Sequence, residues 1–323
     1  MLAPPPAVAI LLSTYEGERY LIPQLHSLLS QTHRDWVLYW RDDGSRDGTR
    51  KVMREFLTRL GPERAVVLEE NMRVGATESY MRLLRRAYAD GNPVLAFADQ
   101  DDVWLPEKLS RGVAELAAVP DEVPALYFAR QVLVDASLRR IALSFPVRRP
   151  PGFPACLTQN LATGCTVLMN RAAMALMAMS PAPDGSLHDW WSYIVVSAHG
   201  GRLLVDNEPT VLYRQHESNA IGAPRSAWRR AVAALRRGPE PFMRLMRGYV
   251  GALSANPLAL GAQLLAEGLG RDPRPASHGH VGRRTRASAL VVVAAVLAVR
   301  HAPAPAPCCR PRRAPSARAP WHR

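Results

Sequence analysis

Apolar positions in the first hundred residues fall into short continuous runs separated by segments with helical spacing. Residues 7–12 (Ala-Val-Ala-Ile-Leu-Leu) are apolar without alternation, as in a parallel strand covered on both faces. Ser13 to Gly17 read as a turn. Glu18 to Ser30 then place Leu21, Leu25, Leu28 and Leu29 on one helical face. A second strand over 35–41 ends on Asp42-Asp43-Gly44-Ser45, and Asp47 can cap the helix that follows, whose stripe is Val52, Phe56, Leu57 and Leu60. A strand over 64–68, a helix from Thr77 to Ala89 and a strand over 93–98 continue the alternation. The pattern predicts an α/β fold with helices on both faces of a mostly parallel, Rossmann-like sheet.

The second half is less regular. Strands are expected over 125–134, 165–169, 202–206 and 210–213, and helices over 171–179 and 189–198. The methionine-rich face of 171–179 reads as core packing. Composition then shifts, dividing the chain into a domain over 1–222, a basic helical extension over 223–270 and an Arg/Pro/Ala-rich tail over 271–323. The tail has the composition of a disordered segment.

The formal charge of +13 would suit a polyanion-binding protein, but its distribution argues against nucleic acid. The tail holds eleven arginines against one acid, so the body is close to neutral. Lysine occurs only at Lys51 and Lys108. Four cysteines without framework spacing, two of them adjacent at Cys308-Cys309, suit reduced thiols and a cytoplasmic setting. The apolar stretch 287–299 falls short of the ~18–20 residues needed to span a membrane. Met1 to Leu12 lacks the basic start of a secretory leader. Arginines at 229, 230, 236, 237, 244 and 247 interleave with apolar residues over 226–249, either a solvated helix face or a peripheral contact with an anionic membrane.

The candidate chemistry lies where strands end. Asp99, Asp101 and Asp102 crowd into four positions after the strand over 93–98. Such carboxylates repel one another unless a cation neutralises them, and a divalent ion that also holds phosphate does so. Tyr15 and Asp43 offer an aromatic face and an acceptor at two neighbouring strand ends, although each also fits an ordinary turn. Asp189 follows His188 and precedes Trp190-Trp191, bulk that can desolvate a carboxylate; it also fits a helix N-cap.

Taken in order, Ser13-Thr14-Tyr15, Gln31-Thr32, Asp42-Asp43-Gly44-Ser45, Asp99-Gln100-Asp101-Asp102-Val103-Trp104-Leu105-Pro106-Glu107-Lys108-Leu109, Thr163-Gly164-Cys165, His188-Asp189-Trp190-Trp191 and Leu212-Tyr213-Arg214-Gln215-His216 resemble the family 2 glycosyltransferases. The later motifs resemble the rhamnosyltransferase-like branch, and the likeness covers about residues 7–222. Glu16 and the pair Trp40-Arg41 depart from the family's usual residues.

The resemblance implies a GT-A fold, a nucleotide-sugar donor (dTDP- or UDP-linked), Mg2+ or Mn2+, and a saccharide acceptor that can be lipid-linked. It implies that Tyr15 stacks on the base with Ser13 nearby, that Asp43 accepts the pyrimidine N3–H, and that Asp99 faces the ribose. Asp101 becomes a metal ligand, with Asp102 supporting it or capping the helix after Pro106. Asp189 becomes the base of an inverting transfer. Arg214 can grip the diphosphate with its guanidinium fork, and His216 can complete the metal site. The expected reaction moves rhamnose from dTDP-rhamnose onto a growing bacterial surface glycan. A UDP-hexose transferase is the alternative within the fold; a basic membrane- or nucleic-acid-binding protein with a degenerate enzyme body is the alternative outside it.

Overall fold

The structure is a computed structural model that describes residues 7–69, 72–147, 152–157, 159–216 and 240–255. The expected features over 223–239, 256–270 and 271–323, including most of the basic extension and the whole tail, lie outside the described residues.

A nine-stranded sheet organises the described chain. Strands β1 (Val8–Thr14), β2 (Trp36–Asp42), β3 (Ala65–Val67) and β4 (Val94–Ala98) form a parallel block in the order β3-β2-β1-β4. Helices α1 (Glu18–Leu29), α2 (Thr49–Leu60) and α3 (Ala76–Ala89) make the crossovers. The uninterrupted apolar runs of β1 and β4 are explained by burial on both faces. Ala9, Leu11, Leu95 and Phe97 enter one core with α3, whereas Val8, Ile10, Leu12, Val94 and Ala96 enter a second core with α1.

Beyond β4 the chain adds β5 (Val103–Trp104), α4 (Lys108–Ala117), β6 (Ala125–Val134), β7 (Arg140–Leu143), β8 (Leu168–Asn170), α5 (Arg171–Met179), α6 (His188–Ala198) and β9 (Arg202–Arg214). The sheet continues β4-β8-β6-β9-β5, and β7 pairs with the C-terminal part of β6, whose N-terminal part pairs with β8. β8, β5 and β7 join antiparallel, but most paired positions lie in parallel ladders, including the long β6–β9 pair. The two strands expected over 202–206 and 210–213 are one strand, because the register shifts at Arg130 let β6 follow β9 through Asn207–Pro209. The expected strand over 165–169 begins instead as a 3-10 turn, Gly164–Thr166, and only then becomes β8. Among the described residues no helix is long and apolar enough to cross a membrane.

A last helix, α7 (Glu240–Ser254), packs on α6. Tyr249 stacks on Trp191 at 5.7 Å between ring centroids and meets Trp190 edge-on at 5.4 Å. The chain order reverses between β1 and β4, and their carboxyl ends open at the same edge of the sheet. A crevice at such a switch point is where an α/β sheet binds ligands.

Candidate active site

The first wall of the cleft is the turn after β1. Ser13 Oγ donates to Ser79 Oγ of α3 at 2.7 Å. The Tyr15 backbone is clasped by the Gln100 amide: its N–H donates to Oε1 and its carbonyl accepts from Nε2, both at 2.9 Å. A Cβ at Gly17 would lie 2.2 Å from Gln100 Oε1, so a side chain there would displace the clasping amide. The Tyr15 ring is 37% exposed, and the Arg73 guanidinium lies 4.1 Å from its centroid.

The two aspartates after β2 serve different ends. Asp42 is buried and accepts from the Thr14 and Ser45 hydroxyls, the Gly44 and Ser45 N–H groups and Arg50 Nε. Burial acts to raise its pKa, but these bonds outweigh it and hold the carboxyl below the usual range. Asp42 therefore fixes the turn. Asp43 lines the cleft. Its Oδ1 accepts from Arg41 Nη1 at 2.8 Å and the Val74 N–H at 2.7 Å, and its Oδ2 from the Gly75 N–H at 2.9 Å. Arg41, fully buried, also donates to Ser79 Oγ and the Met72 carbonyl.

In the carboxylate cluster after β4 the three aspartates have separate surroundings. Asp99 accepts from the Tyr80 hydroxyl at 3.0 Å, and burial followed by the charge of Asp101 raises its pKa to about 7. Asp101 Oδ2 lies 2.8 Å from His216 Nε2, and its main-chain carbonyl accepts from Arg214 Nε at 2.7 Å. Asp102 is fully buried and accepts the Arg214 N–H at 3.0 Å. It does not cap α4, where the Leu109 N–H donates instead to Gln31 Oε1 at 3.1 Å, because its carboxylate is turned toward β9.

Below Asp102 sits a closed polar cluster. The Cys165 thiol lies within 4.8 Å of an Asp102 carboxylate oxygen, and Lys108, also fully buried, holds its ammonium 3.5 Å from the centroid of Trp104. Burial lowers the Lys108 pKa to about 7, while Cys165 and the two carboxylates oppose that shift. Asp99, Asp102 and Cys165 could bring ligand atoms within 4.8 Å of one another. That trio does not fit Mg2+ or Mn2+: a thiol is a soft ligand, Asp102 and Cys165 are closed off from the cleft, and Lys108 already supplies positive charge. The carboxylates of Asp99 and Asp101 line the cleft and, with the imidazole of His216 against Asp101, make an oxygen-rich donor set that fits such an ion.

The opposite wall comes from α6 and the loop before β8. Asp189 Oδ2 accepts the Gly164 N–H at 2.9 Å and Oδ1 accepts the Trp190 N–H at 2.6 Å. It is no N-cap, since α6 begins one residue earlier at His188 with Leu187 as the capping residue. Burial raises the Asp189 pKa to about 6, against the pull of the Trp190 and Gly164 N–H groups and of Asn160. That is the range of a general base working near neutral pH. His188 is stacked on Tyr80 at 3.9 Å and packed edge-on to Phe97; burial lowers its pKa to about 3, so it is neutral. Gly164 packs tightly against α6: a Cβ would lie 3.0 Å from His188 Nε2, close enough to push on that ring.

The cleft between these walls has a volume of about 420 Å³, and Ser13, Tyr15, Asp43, Asp99, Asp101 and Asp189 all line it. Arg214 and His216 sit behind Asp101 rather than on the lining. Besides its bonds to the Asp101 loop, Arg214 donates to the Ala136 carbonyl, and its guanidinium lies 4.7 Å from the Tyr20 ring centroid.

Sequence reasoning missed Arg41 as the partner of Asp43, Tyr80 as the donor to Asp99, and Lys108. Lys108 had a signal, since it is one of two lysines in an arginine-rich chain. Tyr80 had none, because its position on α3 is that of an ordinary core residue.

The sequence model of glycosyl transferase family 2 matches residues 9–176. The dTDP-rhamnosyl transferase RfbG of Shigella flexneri is 26% identical over 224 residues, which are 66% of this chain and 74% of RfbG. The UDP-Glc:alpha-D-GlcNAc-diphosphoundecaprenol beta-1,3-glucosyltransferase WfgD of Escherichia coli is 32% identical over 107 residues, 33% of this chain and 40% of WfgD. Among solved structures, S. aureus TarS 1-349 in complex with UDP-GlcNAc superposes with a TM-score of 0.58 at 18% identity, over 82% of this chain and 72% of TarS 1-349. That likeness identifies the shared GT-A fold.

Proposed function

The chain belongs to glycosyl transferase family 2, and from that premise we propose that it is an inverting, metal-dependent enzyme that moves rhamnose from dTDP-rhamnose onto a growing bacterial surface glycan. The observation that carries this reading is one cleft with two chemically distinct walls. Asp99 and Asp101 stand on one side, and Asp189, with a pKa near 6, on the other. Rhamnose as the sugar is supported by the name of RfbG.

The donor's pyrimidine stacks on Tyr15 with Ser13 alongside. A carboxylate has roughly four acceptor sites, and Asp43 uses three of them on protein donors. One is left on Oδ2 for the N3–H. Asp99 faces the ribose. Asp101, with His216, would hold Mg2+ or Mn2+, which when bound neutralises charge on the departing diphosphate. Arg214 contributes by fixing the Asp101 loop rather than by gripping phosphate itself.

Asp189 takes the proton of an acceptor hydroxyl. The hydroxyl oxygen forms its bond to the anomeric carbon as the bond from that carbon to the diphosphate breaks. The nucleoside diphosphate leaves on the side opposite the attack, which inverts the centre. An acceptor carried on a lipid at the inner face of the plasma membrane fits the basic stretch over 226–249 and the diphosphoundecaprenol in the name of WfgD.

A melting-temperature screen of dTDP- and UDP-sugars with Mn2+ tests the donor, because a ligand stabilises only the state that binds it. The expected result is stabilisation by dTDP-rhamnose, lost in part without Mn2+ and in Asp101→Asn. A larger shift with UDP-glucose favours the UDP-hexose reading that WfgD suggests. No shift with any donor, or full transfer by Asp101→Asn, overturns the proposal.

A further inference from the structure

A second concavity of about 140 Å³ lies behind the loop that carries Gly164. Its floor is Phe128 of β6 and Val205 of β9. The segment after β7 forms one side, and Asn160 to Thr163 form the other. Thr163 lines both this pocket and the main cleft. Asn160, also in the pocket wall, approaches Asp189 closely enough to help lower its pKa. The pocket and the carboxylate of Asp189 are therefore separated by one loop that touches both.

The chemistry of the lining selects a class of ligand. Phe145, at the rim, is 91% exposed and offers an aromatic face to an apolar one. Gln131 is 7% exposed, yet its side-chain amide makes no hydrogen bond among the described residues and lines the pocket. The charged groups are already occupied. Asp206 accepts from Arg111 at 2.8 and 2.9 Å and from the Tyr127 hydroxyl, and Arg130 donates to the carbonyls of Ser144 and Asn207. Carbonyl oxygens occupy the Arg130 donors without cancelling its charge, so an anion is the competing ligand that the test must exclude. The volume matches roughly five waters at ~30 Å³ each, room for one ring rather than a chain. The free amide of Gln131 and the exposed aromatic face of Phe145 suit a ring with hydroxyls on its edge and C–H groups on its face.

We propose that this pocket is a subsite for one neutral pyranose of the acceptor saccharide, packed on Phe145 and hydrogen-bonded by Gln131. It rests on the reading that Asp189 is the base of a glycosyl transfer. Through the shared loop, occupancy of the subsite would position the adjoining acceptor hydroxyl at Asp189.

The test uses the full chain with dTDP and Mn2+ present and methyl α-L-rhamnopyranoside, methyl α-D-glucopyranoside and inorganic phosphate as probes. Binding is read by ligand-observed NMR. At least one glycoside is expected to bind, with about fivefold or greater weakening in Phe145→Ala and in Gln131→Leu, while phosphate does not displace it. Melting temperature and the dTDP-induced shift are followed in each variant as checks on the fold and the cleft. Glycoside binding that is unchanged in both variants overturns the subsite, as does binding of phosphate in place of either glycoside. Absence of glycoside binding to a wild-type protein that does bind dTDP overturns it as well. Absence of dTDP binding to the wild type would instead sink the donor-cleft reading on which it rests.

Discussion

Replacing Asp189 with asparagine removes a charge and an acceptor from a carboxylate whose two oxygens are both in use. The Gly164 and Trp190 N–H groups each have one oxygen. D189N keeps a single acceptor, so one N–H must face an NH2 group, at a cost of about 1–3 kcal/mol. The opposing term comes from the charge. Asp189 titrates near 6 in the folded protein, against 3.8 for the free side chain, because burial disfavours its ionised form. Between those values the folded state binds more protons than the unfolded state. Stability contributed by this group is therefore greatest below about pH 4 and lost as pH rises to about 6. At pH 7 the penalty is at most about 3 kcal/mol, less to the extent that cleft solvent screens the carboxylate. D189N sheds that penalty while accepting the hydrogen-bond loss, so the two terms offset within about 2 kcal/mol. Its melting temperature at pH 7 should stay within several degrees of wild type, while transfer falls by about 10²–10⁴. The assay is kcat/KM for transfer over about pH 5 to 8. Below about pH 6 the wild-type rate should fall about tenfold per unit, and D189N should lack that limb. A wild-type profile without the limb, or D189N transferring sugar near the wild-type rate, would refute the assignment of Asp189 as base.

Arg41→Met leaves the buried Asp43 carboxylate without its guanidinium and should cost about 3–5 kcal/mol of stability by chemical denaturation, with loss of nucleotide binding in whatever folds. Gly164→Ala forces a Cβ to 3.0 Å from His188 Nε2 and 3.4 Å from Asp189 Cβ. It should lower kcat more than stability, about tenfold against about 1 kcal/mol, as read by paired kinetics and melting. Lys108 has a folded pKa near 7, below that of the free side chain, so the unfolded chain binds the extra proton between about pH 7 and 10.5. Wild-type stability should gain from this group as pH rises through that window, and Lys108→Met should flatten the gain; identical pH slopes in the two proteins would count against a buried, titrating ammonium.

The parallel half of the sheet was legible because each element there carries its own signal. The runs of β1 and β4 are covered on both faces and so are apolar throughout, and α1 and α2 each present one stripe, although Leu29 of the expected α1 face is exposed and Met53 joins the buried face of α2. The strand-end residues Ser13, Tyr15, Asp43, Asp99 and Asp101 meet Asp189 in one cleft. Less could be read where structure depends on distant partners. All four residues of β7 are exposed, so its apolar Ile141 and Leu143 belong to no buried face that the pattern could reveal, and its place is set by pairing with β6. β9 looks like two strands because Asp206, Asn207 and Glu208 break its apolar run, and only the irregular register against β6 carries it through. Asp102 resembles a helix cap in sequence, since Pro106 follows at helix-start spacing. Its actual donor, the Arg214 N–H, is 112 residues away and leaves no local trace. Arg41 looks like a misfit before two aspartates. In the fold it is the buried counter-charge of one of them.

The Arg214 clamp also sets a timetable. The carbonyl of Asp101 and the guanidinium that holds it are 113 positions apart in the chain. At about 5–20 residues per second, synthesis takes roughly 6–20 s to pass from one to the other. Through that interval β1 to β4 can already pair with one another, although β8, the outer neighbour of β4, is made later. The carboxylate loop at their edge, meanwhile, still lacks the residue that fixes it. In a nascent chain, therefore, β1 to β4 can assemble before the loop of Asp101 is fixed, and that loop gains its clamp only once Arg214, the last residue of β9, has been made.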